Sequence, residues 1–235
     1  MKTAIYEANS IAWLALMIST AGFRLNKVRI MPLDSTTLRS MTAAAAQRVI
    51  ENADELTLLD QAVGDGDHGI NMKRGCAEVL SQLDGISAKP TGEALKAVGM
   101  ALVMKVGGAS GPLYGSLLMA MGKAIGDQPA TFALLPEAFA AGVEAVAARG
   151  KSTEGEKTML DVLGPALRVL RAGGPDLGAR LRETASSAAT ATIPMLATKG
   201  RASYLGERSI GHMDPGARSS QIIIEALSHF LEELT

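Results

Sequence analysis

Apolar residues recur at helical spacing along almost the whole chain. After DSTTLRSM, residues Leu38, Met41, Ala45, Val49 and Leu56 fall near one face of a 3.6-residue repeat. This predicts a helix from Asp34 or Ser35 to about Glu55. The same spacing predicts helices over about 69–83, 91–104, 112–125, 131–148, 160–170 and 177–199, the last bent at Pro194. DPGA then starts a final helix that ends near Leu234. Asp214 suits the cap, Pro215 suits the first helical position, and Ile222, Ile223, Leu227 and Phe230 are its core candidates. Alternating β-branched residues never persist, so no strands are expected. About eight helices joined by glycine-bearing loops predict one all-α domain over residues 31–235.

Residues 1–30 break the pattern. The run IAWLALMISTAGF (11–23) is apolar but short for a membrane span, and no small-x-small cleavage site follows it. The expectation is an N-terminal extension from a start site placed upstream of Met31, or an unordered segment. An extra packed helix or a targeting segment are the alternatives.

Composition narrows the function. Of 235 residues, 47% are hydrophobic and 20% charged, and the net charge of −1 does not favour nucleic acid or a membrane surface as partner. Aromatics at 3% leave few platforms for stacking bases. Cys76 is the sole cysteine, which excludes an intrachain disulfide, argues against a thiolate zinc site and suits a reducing cytoplasm. On its helix Cys76 reads as packing rather than as a nucleophile.

The chemistry concentrates in GDGDHG (64–69), which matches the G-x-G-x-x-G pattern of dinucleotide-binding loops. That reading needs a strand before the loop and a parallel sheet around it. TLLDQAV is at best a short strand without partners. Two carboxylates beside a pyrophosphate also repel it by roughly 4 kcal/mol per pair at 4 Å and an effective dielectric near 20. An EF-hand fails as well, because its fifth and twelfth positions would be Gly69 and Cys76. Adding Asp60 removes the paradox. Asp60, Asp65 and Asp67, threaded by Gly64, Gly66 and Gly69, form a hard oxygen donor set suited to Mg²⁺, and two ions can share them. Metal then stands between carboxylate and phosphate. The helix start at His68 to Asn71 offers free amides to another phosphate oxygen. The bland alternative is an acidic turn that caps a helix.

Two further segments are candidates. In GGASGPLYGS (107–116), glycines and Ser110 precede a helix, a fit for an anion or for a tight helix connection. The stretch 200–220, GRASYLGERSIGHMDPGARSS, is polar and longer than a connection requires. Its Arg201, Arg208 and Arg218 either offset phosphate charge or lie solvated, and its lone His212 gains no chemical role from the sequence.

Together these segments resemble the nucleotide-binding L subunits (DhaL) of dihydroxyacetone kinases. The matching stretches are LDQAVGDGDHGINMKRG (59–75), VGGASGPLYGS (106–116), RGKSTEGEKTMLDV (149–162) and KGRASYLGERSIGHMDPGA (199–217). The resemblance implies a barrel of eight antiparallel helices that holds ADP or ATP at one end through two Mg²⁺. It implies Asp60, Asp65 and Asp67 as metal ligands. It implies nucleotide contacts at His68, Gly69, Ile70, Asn71, Ala109, Ser110, Arg201, Asp214, Pro215 and Gly216, with Gly150, Thr158 and Met159 on the adenine side. No catalytic residue is assigned to this chain itself. His68 and ERSIGH resemble the branch driven by the phosphoenolpyruvate phosphotransferase chain. There a phosphocarrier (M) subunit phosphorylates bound ADP, and dihydroxyacetone sits on a separate K subunit. Gly66 departs from the alanine usual in that branch. An ATP-dependent kinase subunit for dihydroxyacetone or erythrulose is the alternative. A regulatory module that signals to a transcription regulator is another, and a homodimer is left open.

Overall fold

The computed structural model describes residues 31–232; the extension expected over 1–30 lies outside them. Helix α1 runs Ser35–Glu51, opened by Asp34, whose Oδ1 accepts the Thr37 amide at 2.8 Å. It stops earlier than the spacing predicts. Asn52 turns its side-chain amide onto the Arg48 carbonyl at 2.7 Å, competing with the helical ladder. A separate helix α2, Ala53–Val63, follows, so Leu56 is not on the first helix and TLLDQAV is not a strand. Next come α3 (His68–Ser81), the short α4 (Leu83–Ser87), α5 (Thr91–Lys105) and α6 (Ser110–Ile125). After a 3₁₀ turn at Phe132–Leu134 come α7 (Leu135–Gly150), α8 (Leu160–Ala172) and α9 (Leu177–Ala191). A 3₁₀ stretch, Arg201–Ser209, leads to α10 (Pro215–Glu232). The helix expected to bend at Pro194 ends instead at Ala191. Proline has no amide to donate and disfavours helical backbone at the residue before it, so residues 192–199 continue as turns and loop.

Eight of these helices close a ring. In order, α1, α3, α5, α6, α7, α8, α9 and α10 each pack on the next, and α10 returns to α1. Neighbours run antiparallel, as the α5–α6 contact shows: Gly92 faces Gly122 and Gly126, and Gly99 faces Gly115. A Cβ on either Gly99 or Gly115 would come within 2.9 Å of the other's carbonyl oxygen, so these backbones meet at a distance only glycine permits. The architecture is the all-α barrel expected. Its interior is apolar, with Leu38, Val49, Met72, Val98, Leu117 and Leu163 around a cavity of about 240 Å³. Among the described residues there is no strand, only an isolated bridge between Pro32 and Thr131, and no helix is long and apolar enough to cross a membrane.

Candidate functional site

Alternation around the ring brings the N-termini of α3, α6, α8 and α10 to one end. The ring nitrogens of His68, first in α3, lie 2.9 Å from Ser110 Oγ of α6 and 3.0 Å from Ser219 Oγ of α10. Gly216 of α10 packs against Met159, the residue before α8. Free amides and the positive ends of four helix dipoles therefore converge, which favours negative charge there.

The acidic turn is built onto this end from α2. Asp60, near the end of that helix, is buried, and its Oδ2 accepts the amides of Asp67 and His68 at 2.9 and 3.1 Å. One carboxylate oxygen thus fixes the loop and caps α3. The loop reverses at Gly66, whose φ of 74° is where glycine is favoured. Asp60, Asp65 and Asp67 each offer an oxygen within 4.8 Å of the others. Asp60 is buried, Asp67 partly so and Asp65 exposed. Arg201 pairs with Asp65, which leaves an excess of negative charge in a space that a divalent cation fits. The donor set, carboxylate oxygens alone, is that of a hard cation such as Mg²⁺.

The glycine-bearing second segment borders the turn. A Cβ on Gly107 would fall 2.8 Å from Asn71 Oδ1, and Gly108, at φ 64°, faces the Arg201 guanidinium. Asn71 is held by Arg74, which donates to Asn71 Oδ1 and to the Lys105 carbonyl, both at 2.7 Å. Ala109 and Ile70 are exposed, while Gly69 is buried so tightly that a side chain would collide with the Ala53 carbonyl. Of the three arginines expected near phosphate, Arg201 reaches the turn and Arg208 lies exposed. Arg218 is held instead by both carboxylate oxygens of Glu55 at 2.7 and 3.0 Å.

Burial lowers the His68 pKa, against the pull of Asp60 and Asp67, which favours the neutral ring, with one nitrogen as donor and the other as acceptor. Asp214 caps α10 as expected, accepting the Ala217 amide at 2.7 Å, and burial pushes its carboxyl up to about 7. Pro215 follows it, buried. Asp161 holds the loop before α8 by accepting the amides of Gly155 and Thr158. Gly150 lies against Leu113 of α6. Cys76 is packed in the core with its thiol pushed up to about 12, a packing residue as expected.

Residues outside the sequence expectations complete the site's support. Ser219 joins His68 to Tyr114, and the Tyr114 hydroxyl lies 2.8 Å from Ser219 Oγ and 2.9 Å from Ser220 Oγ. The serine pair in an otherwise apolar helix face is the signal that marks it. Lys157 is also buried, enclosed by main-chain carbonyls, and no spacing rule exposes that.

The family profile described as the DAK2 domain matches residues 62–229. The chain belongs to this family. It is 46% identical over 181 residues to the ADP-binding subunit DhaL of PEP-dependent dihydroxyacetone kinase 1 of Listeria innocua, covering 77% of this chain and 89% of that protein. It is 44% identical over 180 residues to the corresponding Escherichia coli subunit, covering 74% and 86%. The barrel superposes on the dihydroxyacetone kinase of C. freundii in complex with AMP-PNP and Mg²⁺ with a TM-score of 0.71 and 25% identity. That match covers 87% of this chain but 35% of the other, so this DAK2 chain spans about a third of the solved kinase.

Proposed function

We propose that this DAK2 chain is the ADP-binding subunit of a dihydroxyacetone kinase fed by the phosphoenolpyruvate phosphotransferase chain. The observation that carries the reading is the meeting of Asp60, Asp65 and Asp67 with four helix N-termini and Arg201 at one barrel end. Relatives named as ADP-binding subunits, and the Mg²⁺ and nucleotide analogue of the solved relative, support it.

In this reading the three aspartates hold two Mg²⁺, which supply charge neutralisation for phosphoryl transfer. Asp60 fixes the acidic turn through the Asp67 and His68 amides. Ala109, Ser110 and the first amides of α3 at His68, Gly69, Ile70 and Asn71 take phosphate oxygens. Arg201 turns from Asp65 to the phosphates. Gly150, Thr158 and Met159 border the base, and Asp214, Pro215 and Gly216 close the site. A K subunit carries the sugar, a phosphocarrier supplies the phosphoryl group, and the chain works in the cytoplasm.

Calorimetry with ADP, with and without Mg²⁺, tests this directly. The wild type is expected to bind ADP only with Mg²⁺, and Asp65→Ala to lose both ligands. Unchanged ADP–Mg²⁺ affinity in Asp65→Ala would overturn the reading. Sugar phosphorylation with a K subunit, driven by phosphocarrier or by ATP, identifies the donor.

A further inference from the structure

Lys157 is 1% exposed, and its backbone adopts φ 61°, a conformation unusual for a side chain of this size. Its Nζ lies within hydrogen-bond reach of five main-chain carbonyl oxygens: Thr192 at 2.9, Ile193 at 3.3, Met195 at 3.1, Ser209 at 2.8 and His212 at 2.6 Å. Three N–H groups are shared among five acceptors. Three of those acceptors come from just past the end of α9, where carbonyls lack helical partners and the dipole favours a cation. The other two come from the loop that returns to α10. One ammonium therefore ties three stretches of chain.

The other anchors of this loop are a small set of apolar contacts and a set of polar ties. Between α9 and α10, Ala197, Ala202 and the partly buried Leu205 form a small apolar cluster against Val63 beside the acidic turn, and Met213 packs on the main core. The loop's remaining ties among the described residues are polar, and they include the Thr198 amide on the Glu156 carbonyl at 3.4 Å and Lys199 paired with Glu156, the residue before Lys157. Ala197 N donates to Ser209 Oγ at 3.0 Å, Gly211 N to Ile193 O at 2.8 Å, and Asp214 N to Thr192 Oγ1 at 3.1 Å. All three use residues that also surround the ammonium or adjoin those that do. The same loop carries Arg201, paired with Asp65, and ends at Asp214, directly before Pro215 and Gly216 at the start of α10. Thr158 and Met159 follow Lys157 directly in sequence. A buried charge is retained only where its partners are aimed at it, and here every hydrogen-bond partner is backbone of one loop.

We propose that Lys157 is a positioning residue. Its ammonium seats the 192–214 loop so that Arg201 and Asp214 to Gly216 meet a magnesium-bound nucleoside diphosphate together with Thr158 and Met159. This rests on the ADP reading above. A seated loop enters the bound state with its ordering already done, and losing the seat returns that ordering to the binding step.

The test uses the full chain as wild type, Lys157→Ala and Lys157→Gln, with two measurements on each. Deuterium exchange without nucleotide is expected to rise in Lys157→Ala over 193–214 and to stay as in wild type over α5 to α7. Calorimetry is expected to show ADP–Mg²⁺ affinity lowered roughly tenfold or more. Propylammonium, which supplies an N–H₃ group to the emptied cage, is expected to restore both at fixed ionic strength. Tetramethylammonium, with equal charge and no N–H, is expected to restore neither. The assignment is overturned by affinity within about twofold of wild type, by exchange rising equally in α5 to α7, or by equal effects of the two cations. If Lys157→Ala does not fold, Lys157→Gln, with a neutral amide donor, takes the same test. A partial loss of affinity confined to this loop then supports the proposal, and wild-type binding overturns it. Wild type that fails to bind ADP–Mg²⁺ sinks the nucleotide reading, whereas the loop's exchange still judges Lys157.

Discussion

Asp60 Oδ2 accepts the His68 amide at 3.1 Å across eight residues of sequence, and the Asp67 amide at 2.9 Å, joining the end of α2 to the first turn of α3. The carboxylate is therefore structural and a metal-ligand candidate at once, and two substitutions separate the roles. Asp60→Asn keeps an oxygen for the amides but loses the charge. It is expected to melt near wild type while Mg²⁺-dependent ADP binding is lost. Asp60→Ala also removes the cap, which costs about 1–2 kcal/mol and lowers Tm by roughly 2–4 °C per kcal/mol in a domain of this size. Thermal melts and calorimetry on the same preparations check both.

Arg201 and Asp65 form an ion pair whose side chains are 52% and 47% exposed. Such a pair contributes at most about 1 kcal/mol to folding, so Arg201→Gln should leave Tm almost unchanged. Its effect on ligands is expected to have two signs. Without nucleotide, Mg²⁺ binds more tightly because a competing cation has gone from Asp65. ADP–Mg²⁺ binds more weakly because the phosphates lose a guanidinium. Mg²⁺ titration with and without ADP reads both, and a change of the same sign in each would contradict the assignment of Arg201 to the phosphates.

The helices and the acidic turn are legible in the sequence because both rest on side-chain type at fixed spacing. Leu38 and Val49 mark a buried face, and three aspartates among glycines mark hard donors. The boundaries at Asn52 and Ala191 are less legible. Each depends on a local competition, an amide reaching for the Arg48 carbonyl or a proline three residues past the helix end, which hydrophobic spacing does not register. Closure of the ring is hidden because glycines make the α5–α6 contact, and glycine adds nothing to an apolar pattern. Lys157 is hidden for a related reason: every hydrogen-bond partner it has is main chain. Of the arginines, the sequence could not separate Arg201 from Arg218, since Glu55 meets Arg218 only after α2 and α10 pack.

Asp214 should give stability a measurable pH slope. Burial raises its folded pKa from 3.8 to about 7. Between those values the folded state binds more protons than the unfolded one, so this group's contribution to stability falls as pH rises toward 7 and is flat above it. His68, with its pKa lowered by burial, acts in the opposite sense: its contribution is lost as pH falls below the ordinary histidine range. The informative quantity is thus the difference between wild type and Asp214→Asn, which keeps a capping oxygen. That variant is expected to be more stable than wild type at pH 7.5, with the gap narrowing toward pH 5, values chosen about the shifted pKa. A gap constant across melts in this range would mean that Asp214 is not protonated in the folded protein near neutral pH.

The chain Ser110–His68–Ser219–Tyr114–Ser220 crosses from the site into the barrel. Its two ends should respond differently to removal of a hydroxyl. Tyr114 is buried, and burial pushes its phenol up to about 12, so it remains a neutral donor at any working pH. Tyr114→Phe leaves Ser219 and Ser220 each one partner short, at a cost of about 1–3 kcal/mol. It leaves the ADP–Mg²⁺ contacts intact. Ser110→Ala, at a half-buried position, takes a donor from the phosphates and also leaves one nitrogen of the buried His68 a partner short, so it too costs stability. The expected result is a lower Tm with unchanged ADP affinity for Tyr114→Phe, and a lower ADP affinity as well as a lower Tm for Ser110→Ala. If Tyr114→Phe weakened ADP as much as Ser110→Ala did, the whole chain would act as one positioning unit for the nucleotide. Because His68 sits between the two, His68→Ala is expected to lose both stability and affinity, and the double variant with Tyr114→Phe should add less than the sum of the two in Tm.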